Sequence, residues 1–223
     1  MTAYYTGMRT GEVLALTWDD IDLDNRIIRV NKTVYSKIKD NQGRWYFGTT
    51  KTNASMREIY ICDTLYKIFV EYKKQQKANR NLLKKKYCNY YIEEMKTKYG
   101  KIIEYKIVKC TNKKKINQQI ELVFTKKNGE YNGTDIIKYP FKIIHNELGI
   151  RQCRFYDLRG NFATNTLNNG IEIKDVSKAL GHSRIETTLN YYVYSNNVHS
   201  EKVVTTFDKV TTLNKFSVHK IFK

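Results

Sequence analysis

Several things are scarce in this chain, and each scarcity removes a class of explanation. Cysteine is sparse: Cys62, Cys88, Cys110 and Cys153 stand far apart and form no C-x-x-C pair. That arrangement suggests neither a zinc cluster nor a disulfide framework, and it fits a reducing cytosol. No apolar run approaches the roughly 18–20 residues a membrane span needs, and no signal peptide opens the sequence. Carboxylates do not cluster at metal-ligand spacing, which disfavours a metal-dependent nuclease. There is no internal repeat and no Gly/Ser linker, so the 223 residues read as one domain.

Acidic residues are also in deficit. Lys and Arg number 40 against 22 Asp and Glu, a formal charge of +18. Such an excess points to a polyanionic partner, because each phosphate neutralised by a cationic side chain releases condensed counterions. Residues 73–127 concentrate it, with 17 Lys and Arg against Glu93, Glu94, Glu104 and Glu121. This segment is either a solvated helix face and hairpin kept soluble by lysine or a DNA-tracking surface. With 41% hydrophobic residues, the chain has enough apolar material for a core.

The pattern of elements is mostly α with a small antiparallel β-sheet, an α+β class. Met1–Thr6 reads as the last turn of a helix ended by Gly7, and Arg9–Trp18 as a short helix closed by the acidic turn Asp19-Asp20-Ile21-Asp22. Three β-rich runs follow, Arg26–Tyr35, Arg44–Thr49 and Met56–Ile61, with turns at Asn41-Gln42-Gly43 and Thr52-Asn53-Ala54. Thr64 is placed to cap a helix whose Leu65, Ile68, Phe69 and Tyr72 share one face. That helix runs into the lysine-rich stretch and an aromatic patch at Tyr87, Tyr90 and Tyr91. Ile102–Val108 and Ile120–Phe124 read as a strand pair within an insertion. Helices are expected at Tyr139–Leu148, with Pro140 in its first turn and Gly149 as C-cap, and near Asp157–Asn168, Lys174–Ala179, Ile185–Tyr194 and Glu201–Asp208.

Four patches carry chemistry: Thr6-Gly7-Met8-Arg9-Thr10-Gly11-Glu12, Thr50-Lys51-Thr52, Tyr156-Asp157-Leu158-Arg159 and Leu180-Gly181-His182-Ser183, the last followed by Glu186-Thr187-Thr188-Leu189-Asn190-Tyr191. Singly, each has a plain structural reading: Arg9 a surface helix residue, Lys51 a turn residue, Leu180-Gly181-His182 a helix C-cap. Together and in this order they resemble the tyrosine recombinase, or phage integrase, family. The patches are similar to its first-arginine box, its β-hairpin lysine, its H-x-x-R box and its L-G-H-x box with a tyrosine nine residues after the histidine. The resemblance runs from residue 1 to about residue 208 and implies the catalytic-domain fold of the DNA breaking-rejoining enzymes.

The resemblance implies that Arg9 and Arg159 clamp the phosphate's non-bridging oxygens, a task suited to a planar, permanently charged group. His182 would donate a third hydrogen bond, Lys51 would protonate the departing 5′-oxygen, and Tyr191 would attack phosphorus and stay as a 3′-phosphotyrosine. Glu12 would orient Arg9 or cap its helix. Tyr156 stands where the family most often has histidine; a phenol is a poor general base at neutral pH but can hold a hydrogen bond. Tyr192 and Tyr194 are rival nucleophiles by chemistry alone, and the spacing from His182 selects Tyr191. No cofactor or metal is implied. The expected partners are double-stranded DNA, three further copies in a homotetramer on paired sites, and DNA-bending accessory proteins. The expected setting is the cytoplasm, at the nucleoid, of a prokaryote or phage.

The family pattern also implies an upstream DNA-clamping domain that this sequence lacks, so weak DNA binding is expected of the chain by itself. The tail Lys209–Lys223 is a candidate contact with a neighbouring protomer, or docks on its own domain. Two other functions fit the same residues: a type IB topoisomerase-like relaxation enzyme, and a catalytically silent DNA-binding remnant.

Overall fold

The computed structural model describes residues 1–37, 45–49, 56–110 and 119–195, with the side chains of Thr49, Ile103 and residues 191–195 left outside the description. Lys51, the two turns at 41–43 and 52–54, the helix expected at Glu201–Asp208 and the tail from Lys209 lie outside the described residues. Within them the helices are α1 (Thr2–Thr6), α2 (Thr10–Leu14), α3 (Asp63–Leu83), α4 (Lys138–Asn146), α5 (Asp157–Asn168), α6 (Ile173–Leu180) and α7 (Glu186–Ser195). The strands are β1 (Ile21–Asp22), β2 (Ile27–Val30), β3 (Lys32–Ser36), β4 (Trp45–Thr49), β5 (Arg57–Tyr60), β6 (Tyr90–Lys96), β7 (Ile102–Lys109) and β8 (Gln119–Ile120). The expected α+β class is what the chain adopts.

The strands form two antiparallel sheets, where one small sheet and a separate strand pair were expected. One has the order β1-β2-β5 and the other β3-β4-β7-β6-β8. The run Arg26–Tyr35 is divided between them, because the chain breaks at Asn31. There the buried carboxylate of Asp20 accepts hydrogen bonds from Asn31 Nδ2 at 3.2 Å and from Lys32 Nζ at 2.6 Å. The same carboxylate takes the Thr17 backbone N–H at 2.8 Å and its hydroxyl at 2.7 Å. One buried acid thus pins the corner between two sheets.

The basic segment is woven into the second sheet. Strand β6 begins at the aromatic patch, and its adjacent Glu93-Glu94 breaks the apolar alternation that would have marked it as a strand. Ile102–Val108 and Ile120–Phe124 do not pair with each other. Strand β7 lies between β4 and β6, while only Gln119–Ile120 is strand and pairs with β6. Tyr90, Tyr91 and Tyr87 are buried, and the Tyr90 hydroxyl accepts the Tyr131 backbone N–H at 3.0 Å. Tyr131 in turn donates to Leu14 O at 2.7 Å, which fastens the segment to α2. Burial pushes the Tyr131 phenol far above its ordinary range, so this donor keeps its proton.

Helix α3 starts one residue before Thr64, with Cys62 as its N-cap and Asp63 in the first turn, where a carboxylate favours the positive helix end. Leu65 and Phe69 enter the first core, with Met8, Val13, Trp18, Ile28 and Val123. A second core gathers Leu14, Val34, Trp45, Phe47, Tyr90 and Ile107 between α2 and the larger sheet. A third, smaller one joins Ala163 of α5 to Val176 and Leu180 of α6, with Phe162 and Leu167 against it. Pro140 falls in the first turn of α4 as expected. The helix ends at Glu147 rather than at Gly149, which takes φ +61° two residues later.

Candidate active site

The site grows from the end of α6. Gly181 adopts the left-handed conformation (φ 68°, ψ 43°) and stops the helix. Its N–H returns to Lys178 O at 3.0 Å, and the His182 N–H returns to Ser177 O at 3.0 Å, a Schellman arrangement. The last carbonyls, those of Ala179, Leu180 and Gly181, are left facing outward at the negative end of the helix dipole. Three guanidinium groups meet them there. Arg57 Nε donates to Ala179 O at 2.7 Å, Arg159 Nη2 to Leu180 O at 2.8 Å, and Arg9 Nη2 to Gly181 O at 3.4 Å.

Each arginine arrives on a different element. Arg9 is the N-cap of α2, Arg57 opens β5, and Arg159 sits in the first turn of α5. Arg159 is 1% exposed, and its second amino group donates to Gly7 O at 2.7 Å. Gly7 must be glycine for this contact: φ is +63°, and a Cβ there would lie 2.6 Å from Leu180 Cδ2 and 2.7 Å from Phe162 Cδ1. Helix α1 can therefore end flush against α5 and α6.

Glu12, itself 3% exposed, compensates part of the charge. Its carboxylate accepts from the Arg9 backbone N–H at 2.9 Å, Arg9 Nη1 at 2.9 Å, Arg57 Nη2 at 2.9 Å and Arg57 Nη1 at 3.3 Å. Glu12 thus both orients Arg9 and caps the start of α2, the two roles expected for it. Burial pushes its carboxyl up, but hydrogen bonds and charge from Arg57 and Arg9 outweigh that and hold it below the usual range.

Among the described residues, three guanidiniums against one carboxylate leave two net positive charges in a partly closed site. Their effects are visible on the neighbours. Burial, reinforced by Arg9 and Arg57 and opposed by Glu12, pulls the Arg159 guanidinium down to about 10, still charged at neutral pH. Burial and the same arginines, Arg159 foremost, lower His182 to about 4, so the imidazole is neutral at pH 7. His182 Nδ1 lies 2.8 Å from the hydroxyl of Thr188 on α7. The Nε–H of Arg159 is buried with no acceptor among the described residues. A buried N–H without an acceptor, in a cationic recess, is suited to receive an anionic oxygen.

Of the residues singled out in the sequence, Arg9, Glu12, Arg159 and His182 are brought together. Tyr156 precedes α5 at the surface, 42% exposed, within electrostatic reach of Arg159. Tyr191 is on α7, which packs against α5 and α6, and its side chain lies outside the described residues. Lys51 falls between β4 and β5, also outside them. Two members of the cluster escaped the sequence reading, Arg57 and Thr188. Arg57 shares the inward face of β5 with Ile59, and an arginine at an inward position of an alternating strand was the available signal. Nothing in the sequence marks Thr188 apart from Thr187.

Comparison with known proteins bears on the family and the fold. The profile of the phage integrase family matches residues 1–199. The chain is 27% identical over 199 residues to the tyrosine recombinase XerC-like protein of Caldanaerobacter subterraneus subsp. tengcongensis, covering 87% of this chain and 44% of that protein. It is 47% identical over 75 residues to the integrase of Staphylococcus phage L54a, covering 32% of this chain and 21% of that one. Among solved structures, the Tn1549 transposon integrase in complex with a circular intermediate DNA superposes with a TM-score of 0.66 at 20% identity, over 93% of this chain and 56% of that one. The XerA recombinase superposes with a TM-score of 0.56 at 20% identity, over 92% and 55%. The chain therefore spans about half the length of the relatives it matches along most of its own. With a matching profile over nearly all of its residues, the chain belongs to the phage integrase family.

Proposed function

We propose that this chain is the catalytic part of a site-specific DNA recombinase that integrates or excises a mobile element. Arg9 and Arg159 bind the non-bridging oxygens of the scissile phosphodiester, and His182 donates a further hydrogen bond. The Tyr191 hydroxyl attacks phosphorus, the bond to the 5′-oxygen breaks, and Lys51 supplies the proton that the departing oxygen needs. The product is a 3′-phosphotyrosine and a free 5′-hydroxyl; attack by a new 5′-hydroxyl reverses the step on the partner strand. Bond energy is conserved in the ester, so rejoining needs no nucleotide cofactor. Tyr156 holds a hydrogen bond at the phosphate in place of a histidine. The substrate is double-stranded DNA, and four copies act together on paired sites, with DNA-bending proteins as helpers.

One observation carries this reading: three arginines fixed on the carbonyl end of α6, with a net surplus of two charges and an unpartnered Arg159 N–H. Fixed donors aimed where negative charge develops are the largest single source of rate in such reactions. The test is covalent trapping on a nicked duplex in EDTA, resolved on a denaturing gel. The expected result is a protein–DNA adduct from the wild type, Tyr192→Phe and Tyr194→Phe, and none from Tyr191→Phe. An adduct that persists in Tyr191→Phe removes that residue as nucleophile. Binding without any adduct favours a silent DNA-binding protein.

A further inference from the structure

Thr188 is fully buried on α7, three positions before Tyr191, and its hydroxyl lies 2.8 Å from Nδ1 of His182. A buried threonine hydroxyl inside a helix ordinarily turns back to a carbonyl three or four residues earlier. Thr6 does so, to Thr2 O at 2.7 Å, and Thr166 does so, to Phe162 O at 2.8 Å and Ala163 O at 3.0 Å. Thr188 does not. Among the described residues, His182 Nδ1 is its hydrogen-bond partner.

The hydroxyl carries one proton, and Nδ1 is the acceptor within its reach. If the ring instead donated from Nδ1, the proton of this fully buried hydroxyl would lose the acceptor it has among the described residues, at the cost of an unsatisfied donor. The Thr188 hydroxyl therefore donates and Nδ1 accepts. A neutral imidazole accepting at Nδ1 carries its single proton at Nε2. Burial holds the ring neutral, reinforced by the charges of Arg159, Arg9 and Arg57 and partly offset by Glu12. One ring N–H exists at neutral pH, and its location decides whether Nε2 offers a donor or a lone pair.

We propose that Thr188 is the positioning residue that fixes His182 in the Nε2–H tautomer, so that the ring presents a donor to a phosphate oxygen held by Arg9 and Arg159. The tautomer stands on the geometry alone; the phosphate clause rests on the function proposed above. The same hydrogen bond runs from the L-G-H-x segment to the helix that carries Tyr191, so it ties the ring's orientation to the placement of that helix.

The experiment is a long-range proton–nitrogen NMR spectrum of the labelled full chain at pH 7, with His182 identified by its loss in His182→Gln. The wild type and Thr188→Ser should both show an unprotonated Nδ1 and a protonated Nε2. Thr188→Val, which keeps the shape and removes the hydroxyl, should show the Nδ1–H form as well. In parallel, cleavage of a nicked substrate should slow by about tenfold in Thr188→Val, the factor carried by one hydrogen bond of ordinary strength. DNA affinity should be unchanged and the rate restored in Thr188→Ser. A wild-type spectrum with the proton on Nδ1, or a Thr188→Val spectrum identical to wild type, overturns the proposal. Should the valine variant not fold, Thr188→Ser decides: retention of the Nε2–H pattern supports the assignment, and its loss overturns it. A chain that shows the predicted tautomer and cuts no DNA would sink the recombinase reading and leave the role of Thr188 intact.

Discussion

Replacing Glu12 by glutamine removes the one carboxylate from a site where guanidiniums outnumber it three to one. The side chain is 3% exposed and accepts four hydrogen bonds, two from each arginine. Glutamine offers one acceptor oxygen and turns an NH2 group toward donors it cannot satisfy. The Arg57 side chain, 7% exposed, is left as a buried charge, whereas that of Arg9, 38% exposed, can turn to water. Breaking a buried pair by removing one partner costs about 3–5 kcal/mol. The remaining amide acceptor and the freedom of Arg9 place this case near the lower end, at about 3 kcal/mol. Urea unfolding at pH 7 measures it. The pH dependence supplies a second check. Glu12 has its folded pKa below the unfolded value of 4.5, so its contribution is complete above that pH and is lost as pH falls through the folded value. The gap between wild type and Glu12→Gln should be flat from about pH 8 to pH 5 and close below about pH 4. A variant within about 0.5 kcal/mol of wild type at pH 7, the scatter of ordinary surface substitutions, would refute the claim that this carboxylate offsets the arginine cluster. So would a gap that widens in acid.

Gly7→Ala combines a left-handed backbone with contacts of 2.6 and 2.7 Å to Leu180 and Phe162, and should cost about 2–4 kcal/mol. A thermal melt should show a Tm lower by roughly 5–15 °C, and an unchanged Tm would show that α1 is not seated on α5 and α6 as described. For His182, an NMR titration of the free chain should give a midpoint near 4 rather than the ordinary 6.5. The unfolded chain binds that proton more readily, so stability from this group is complete above about pH 6.5 and declines as pH falls toward 4. A midpoint near 6.5 would mean that the ring is not buried beside the guanidiniums as described.

Helices were the most legible part of the fold because their signals are local. A helix was expected near Asp157–Asn168 and α5 has those bounds, and Gly7 and Gly181 marked two helix ends by the need for positive φ. Strand partners were harder, since pairing depends on residues far apart in sequence. The run Arg26–Tyr35 is continuous in β propensity, and its division at Asn31 follows from Asp20, a contact invisible to any periodicity. Strand β6 was hidden for a related reason. Its apolar residues Tyr90, Tyr91 and Ile92 are consecutive and its acids adjacent, because two of the tyrosines are buried at the junction with β8 and the rest of the strand is edge-like and charged. A lysine-rich segment that reads as an appendage thereby supplies part of the second core.

In the candidate site, the structural role of the residues and the chemistry proposed for them are compatible. Leu180-Gly181-His182 is a helix C-cap, as its composition suggests, and under the proposed function capping is how it would serve the chemistry. A left-handed glycine halts α6 and leaves its last carbonyls unclaimed by the helix, and those carbonyls orient Arg9, Arg57 and Arg159. Three like charges within one recess repel, and the protein offsets that repulsion with the negative end of a helix and a single buried carboxylate, leaving two charges for a ligand. Beyond its inward place on β5, nothing in the sequence marked Arg57, because it shares Glu12 and holds Ala179 O, contacts 45 and 122 residues away in sequence. Motif spacing can locate groups that act on a substrate directly, since their order along the chain repeats within a family. It cannot locate the groups that hold them at the right angle, because those are selected by distances that exist only after folding.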